Sequence, residues 1–208
     1  MQPGEPDRSE RVVPVSIRAT PNRRDRYQFG IGYGTDSGMR GTIAWDNRRV
    51  NREGHRFGTL LEGAETRQRV QARYNVPIGD PALEKVALEL SGERLQDLGN
   101  LDTEDIALTP SITQVWFRRF QRVLSLTIAQ TATETPTALP TGELVTVRDE
   151  DFLIVPSISV ASIPQGYLGE ALFSRGFFVE LRGSSVTLGA DESFVQLRLE
   201  GQIGRANV

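Results

Sequence analysis

At 208 residues the chain is long enough for one domain with a sizeable core. A hydrophobic fraction of 38%, a charged fraction of 25% and a net charge of -3 make no compositional demand for nucleic acid or an acidic substrate. Cysteine is absent, which excludes disulfide frameworks and thiolate metal sites. No run approaches the ~18 apolar residues of a membrane helix, so any membrane crossing has to be made by strands. A mean hydropathy of -0.33 does not oppose that, because a barrel strand averages one apolar and one polar face.

The N-terminus, "MQPGEPDRSERVV", has no apolar stretch of the kind a secretory signal carries, and residues 1–11 are polar, charged and expected to lack fixed structure. The first strand follows in "RYQFGIGYG". Tyr27, Phe29, Ile31 and Tyr33 alternate with Gln28, Gly30, Gly32 and Gly34. A soluble sheet rarely uses this pattern, because the glycines weaken the strand and leave its second face unfilled. A barrel strand can use it, with lipid wetting the aromatics and the glycines facing the lumen or a closely approaching segment.

Period two recurs down the chain. Val70, Ala72, Tyr74 and Val76 alternate with Arg69, Gln71, Arg73 and Asn75. Val86, Leu88 and Leu90 alternate with Lys85, Ala87, Glu89 and Ser91, and Val195, Leu197 and Leu199 with Gln196, Arg198 and Glu200. A helix would put Val70 and Arg73 on one face, so these are strands. Weaker members are predicted at 39–48, 55–63, 105–117, 120–130, 151–161 and 177–184, for about ten in all. Most are longer than the five or six residues usual in soluble sheets. Pro110 and Pro156 mark bulges or weakly paired positions.

Connections alternate in character. Those after odd strands include the long, acidic "TATETPTALPTGELVTVRDE", whereas those after even strands include "RVNREG", "IGDPAL" and "RR". Barrels carry long loops outside and short turns in the periplasm, so odd strands are expected to run outward. The turn "IPQGYLGEALFSRG" is long for the periplasmic side. Segment 131–149, rich in Thr and Pro, is expected to be a mobile loop.

Several segments, in order, resemble the barrel of the outer-membrane assembly-factor superfamily (BamA and TamA; the bacterial surface antigen family), most closely its TamA branch. They are "YQFGIGYGTDSGMRGTIAWDNRRVNREGHRF", "YNVPIGDP", "LFSRGFFVELRG" and "LGADESFVQLRLEGQ". "RVVPVSIRATPNRRDRY" resembles the closing strand of a POTRA domain. The resemblance spans residues 11 to 202. It implies an all-β, antiparallel transmembrane β-barrel in the bacterial outer membrane. Residues 1–25 would hold the end of a POTRA domain, and 26–208 part of a sixteen-stranded barrel. It also implies a signal peptide and complete POTRA domains upstream and six further strands downstream. The family's VRGF/Y-type loop motif has no counterpart here. The chain is therefore expected to be an incomplete barrel.

The implied activity is insertion or translocation of outer-membrane proteins without ATP. Its partners would be the lipid bilayer, outer-membrane protein clients and a periplasm-spanning inner-membrane protein, with no nucleic acid and no cofactor. The gate would be the weakly paired first strand, carried by Tyr27, Phe29, Gly30, Ile31, Gly32, Tyr33 and Gly34. Its aromatics would hold it in lipid while its exposed edge templates an incoming strand.

Other features weigh less. His55 is the single histidine, which excludes His-based triads and multi-histidine metal sites, and it is expected at a surface turn. Asp102, Glu104 and Asp105, like Asp149, Glu150 and Asp151, fail the EF-hand spacing and are expected in solvated loops. "GIGYG" lacks the Lys-Ser/Thr and helix of a phosphate loop. Arg69, Arg73, Lys85, Glu89, Arg198 and Glu200 are expected to face the lumen, ion-paired with one another rather than acting as a selectivity lining or a catalytic network. No Ser/His/Asp arrangement or carboxylate pair supports an enzyme. Trp45, Tyr74, Trp116 and Phe120 fall near strand ends, where aromatic belts anchor barrels. The rival readings are a small passive pore closed on ten strands and a soluble β-sheet binding module.

Overall fold

The computed structural model describes residues 2–3, 15–16, 23–35, 38–80, 83–96, 102–117, 119–138, 144–162 and 173–205. Ten strands follow in chain order: β1 (Asp25–Gly34), β2 (Gly38–Asn47), β3 (Arg56–Ala64), β4 (Arg67–Pro77) and β5 (Lys85–Gln96). β6 (Asp102–Trp116), β7 (Phe120–Ala138), β8 (Leu144–Ser162), β9 (Phe173–Ser184) and β10 (Phe194–Arg205) complete the set. They form one sheet in sequential order, each antiparallel to its neighbour. Among the described residues β1 and β10 have one partner each, so the sheet is open. The chain is an all-β antiparallel barrel wall, as the period-two pattern requires. In the N-terminal segment only a two-residue pairing is described, Gln2–Pro3 with Val15–Ser16. The rest of the POTRA-like stretch up to residue 22 lies outside the described residues, as does turn 163–172.

Register lines up side chains of neighbouring strands in rows. Tyr27, Trp45, Thr59, Ala72, Leu90, Leu108, Ile128 and Ile154 form one row across β1 to β8. Phe29, Ile43, Leu61 and Val70 begin the next. This face is open to its surroundings: Ile31 is 90% exposed, Val195 81% and Phe29 75%. The buried hydrophobic residues are Ala87, Ala132 and Ala190, and no large side chain among the described residues is fully buried. A soluble protein of this length would hide such residues in a core. An apolar face this open matches the outward face of a membrane barrel strand.

The band has a membrane's height. On β6 the outward positions are apolar or aromatic from Ile106 to Trp116, apart from Gln114, and turn acidic at Glu104. Ten steps of strand span about 34 Å, or about 26 Å at a tilt of ~40°, close to the ~25 Å apolar band of membrane barrels. Aromatic rings collect at the end carrying the turns after even strands. Tyr27 stacks on Trp45 at 6.4 Å, Trp45 meets Phe57 edge-on at 5.6 Å, and Phe120 lies 5.6 Å from Phe177. Among the described residues no helix is long and apolar enough to cross a membrane.

Residues 131–138 and 144–149 are strand, not a free loop. β7 and β8 pair without interruption from Phe120↔Ser162 to Ala138↔Leu144. Thr131, Thr133, Thr135 and Thr137 are β-branched and suit a strand, and Pro136 lies past Glu134, where pairing with β6 ends. The acidic groups at 102–105 and 149–151 belong to β6 and β8 rather than to loops. At this end Arg94 holds Asp102 at 3.3 Å, and Arg148 holds Glu134 at 3.1 Å and Glu150 at 2.7 Å. Both prolines mark weak pairing. The β6–β7 ladder breaks between Leu108↔Ile128 and Ser111↔Ser125, and the β8–β9 ladder begins at Ser157, just after Pro156. Beyond that point the β9–β10 loop returns to β8, where the Asp191 amide donates to the Phe152 carbonyl at 2.8 Å. The Phe152 amide in turn donates to Asp191 Oδ2 at 2.5 Å.

Candidate gate edge and polar face

β1 is an edge strand of the sheet. Its ten pairs to β2 run from Asp25↔Asn47 to Gly34↔Gly38, and its other edge has no partner among the described residues. Tyr27 (62% exposed), Phe29, Ile31 and Tyr33 project from the apolar face. On the other face Gly30 and Gly32 offer no side chain. A Cβ at Gly32 would sit 2.8 Å from Arg40 Nε, so the glycine leaves room for Arg40 to lie across the strand. The closely approaching group is thus a side chain of the neighbouring strand. The hairpin closes at Gly38, whose φ of +68° is a conformation few other residues adopt. The seven candidate gate positions therefore share one edge strand, which among the described residues is paired on one side only.

The six charged positions all fall on the face opposite the apolar one. Arg69 donates to Glu93 from Nε at 2.9 Å and Nη2 at 2.7 Å, and reaches Glu62 at 4.0 Å. Arg73 pairs with Glu89, which also accepts from Gln71 at 2.6 Å. Arg198 pairs with Glu200. Lys85 has no ion pair among the described residues. The structure thus brings Arg73 to Glu89 and Arg198 to Glu200, but seats Arg69 on a residue the sequence reading passed over. Glu93, Glu62, Arg67 (2.7 Å from Glu93) and Asp105 (accepting from Thr131 at 2.6 Å) complete the polar lattice. Their parity along the strands was a usable signal; their partners depend on register. The lattice continues down the face through Thr109–Thr127 at 3.1 Å and Ser125–Ser157 at 2.6 Å. Such pairs satisfy polar groups over a hydrated face and offer no positioned nucleophile.

His55 sits in the β2–β3 turn. Its Nδ1 lies 2.7 Å from the Tyr74 hydroxyl and its Nε2 3.1 Å from Glu53 Oε2, which ties the turn to β4. In the β4–β5 turn the backbone amides of Asp80 and Val115 donate to Glu84 at 3.0 and 3.1 Å and hold its carboxyl below the usual glutamate range. Among the described residues no cluster of His, Cys, Asp or Glu suits a metal.

No family model matches the sequence. Among solved structures the chain is similar to the crystal structure of BamA from Haemophilus ducreyi lacking POTRA domains 1-3, with a TM-score of 0.67 and 11% sequence identity. The match covers 85% of this chain and 36% of that one, so the chain spans about a third of the length of the BamA structure. The fold shared is that of a BamA-type barrel, and the open sheet is consistent with a portion of one.

Proposed function

We propose that this chain forms part of the barrel wall of a TamA-like assembly factor in the bacterial outer membrane, with residues 1–25 ending a POTRA domain. It assists insertion and translocation of outer-membrane proteins without ATP. Its partners are the bilayer, its clients and a periplasm-spanning inner-membrane protein. The observation that carries this reading is β1: an edge strand with one neighbour, apolar on one face and glycine-rich on the other. An unpaired edge within lipid leaves amide and carbonyl groups unsatisfied at several kcal/mol each. A client strand that pairs with it removes that cost. Binding is paid for by backbone hydrogen bonds, which accept many client sequences and need no nucleotide.

The test is disulfide trapping during client assembly. Cysteine in place of Gln28 or Gly30 is expected to cross-link to a single-cysteine client strand, whereas Ser91→Cys, in mid-sheet β5, is not. Trapping at Ser91 as efficient as at β1, or none at β1 in a protein that supports assembly, would overturn the proposal. Ion conductance in planar bilayers without client trapping would favour the passive pore.

A further inference from the structure

The end of the sheet carrying the aromatic rings is also strongly basic. Arg23, Arg24 and Arg26 enter β1, and Arg48, Arg49 and Arg52 lie in the β2–β3 turn that stands beside them. The Arg48 amide donates to the Arg24 carbonyl at 2.8 Å, which fixes the two segments together. Asp25, Asp46 and Glu53 share this corner of the rim, and each is engaged, while Asp80 and Glu84 lie in the β4–β5 turn of the same end. Asp25 accepts from Trp45 Nε1 at 3.1 Å and Asn47 Nδ2 at 2.8 Å. Asp46 is 3.4 Å from Arg48, and Glu53 is held by His55 at 3.1 Å. Exposed Arg23, Arg49 and Arg52 are left with no ion pair among the described residues.

The turn that presents them is ordered. The Arg49 amide donates to Asn47 Oδ1 at 3.1 Å, the His55 amide to Asn51 Oδ1 at 3.0 Å, and the Val50 amide to the His55 carbonyl at 2.8 Å. Gly54, at φ +83°, lets the chain reverse. The height is right for phosphate. With Trp45 taken at the hydrocarbon boundary, where belt aromatics sit, Asn47 lies two residues further along β2 and about 5 Å higher at a ~40° tilt. The headgroup layer is about 5–8 Å thick on each side. Arginines one to five residues beyond Asn47 therefore stand within it.

We infer that this rim binds anionic phospholipid headgroups, with Arg23, Arg49 and Arg52 as the phosphate-binding cations and Trp45 at the acyl-chain boundary beneath them. The inference rests on the membrane reading given above. Guanidinium groups donate to phosphate in pairs and suit a diester with net negative charge. The opposite end of the sheet carries Asp102, Glu104, Glu134 and Glu150, so headgroup attraction also favours one orientation of the wall in the bilayer.

Trp45 and Trp116 are the only tryptophans, so Trp116→Phe leaves Trp45 as the sole reporter. In the full chain reconstituted in bilayers, phosphatidylglycerol and phosphatidylcholine brominated on their acyl chains are compared as quenchers of Trp45. Phosphatidylglycerol is expected to be preferred by about fivefold or more at low salt, the scale of one basic residue at an anionic surface. The preference should fall with salt and vanish in the Arg23→Gln/Arg49→Gln/Arg52→Gln variant, while Arg148→Gln leaves it unchanged. Equal quenching by the two lipids would overturn the headgroup inference and leave the membrane reading standing. Absence of quenching by either would remove the membrane reading itself. Displacement of phosphatidylglycerol by lipid A at lower concentration would contradict the assignment to phospholipid.

Discussion

Leu126 and Ser125 are adjacent in β7 and point to opposite faces of the sheet. Leu126 projects from the apolar face at 37% exposure, while the Ser125 hydroxyl is 2.6 Å from that of Ser157 on the polar face. If lipid wets the first face, Leu126→Arg should cost ~2–4 kcal/mol in a lipid-reconstituted protein and Ser125→Arg far less, as urea unfolding from bilayers would measure. Equal costs would mean that the two faces are not lipid and water. Glu84 supplies a titratable contrast outside the strands. Its carboxyl is held low by two backbone amide donors, so its contribution to the turn is present above the ordinary glutamate pKa. The contribution is lost as pH falls through the lowered value. Hydrogen-exchange protection of the Asp80 and Val115 amides should follow that acid limb, and Glu84→Gln should abolish the pH dependence. Alternation in the sequence was enough to assign faces at this scale. It was not enough to pair Arg69 with Glu93, because the partner of a side chain is fixed by register between strands distant in sequence.

β7 and β8 are each 19 residues long, which is about 48 Å at a ~40° tilt and well beyond an apolar band of ~25 Å. In the proposed membrane setting their far paired halves project past the bilayer. The sequence concealed this. A run of Thr and Pro reads locally as a loop, and nothing in it reveals that Thr131–Ala138 finds a partner in 144–151. β1 was legible as a strand for the opposite reason. The Tyr27–Gly34 pattern carries its whole signal within eight residues, and the "GTDSG" turn fixes its partner. Because the chain lacks cysteine, single substitutions report topology cleanly. Thr137→Cys should react with a membrane-impermeant maleimide on intact cells, and Val50→Cys only after permeabilisation. The reverse pattern would invert the orientation and move the basic rim to the outer surface.

Among the described residues the molecule is a hydrogen-bonded wall without a large buried core. The sequential order of ten strands was readable from the alternation of strands and short turns, because consecutive antiparallel strands joined by tight turns pair with each other. The missing core was not readable from composition, since 38% hydrophobic residues can equally furnish a soluble interior. Only the arrangement shows that those residues line one outward face, with Val195, Leu197 and Leu199 exposed on the last strand as Phe29 and Ile31 are on the first. The central claim is that this face is solvated by lipid. The most direct measurement is sedimentation with circular dichroism on the refolded full chain, in plain buffer and in detergent or lipid. A folded β-rich species that depends on detergent or lipid, with aggregation in buffer alone, is the expected result. A folded, soluble monomer in plain buffer would contradict the account.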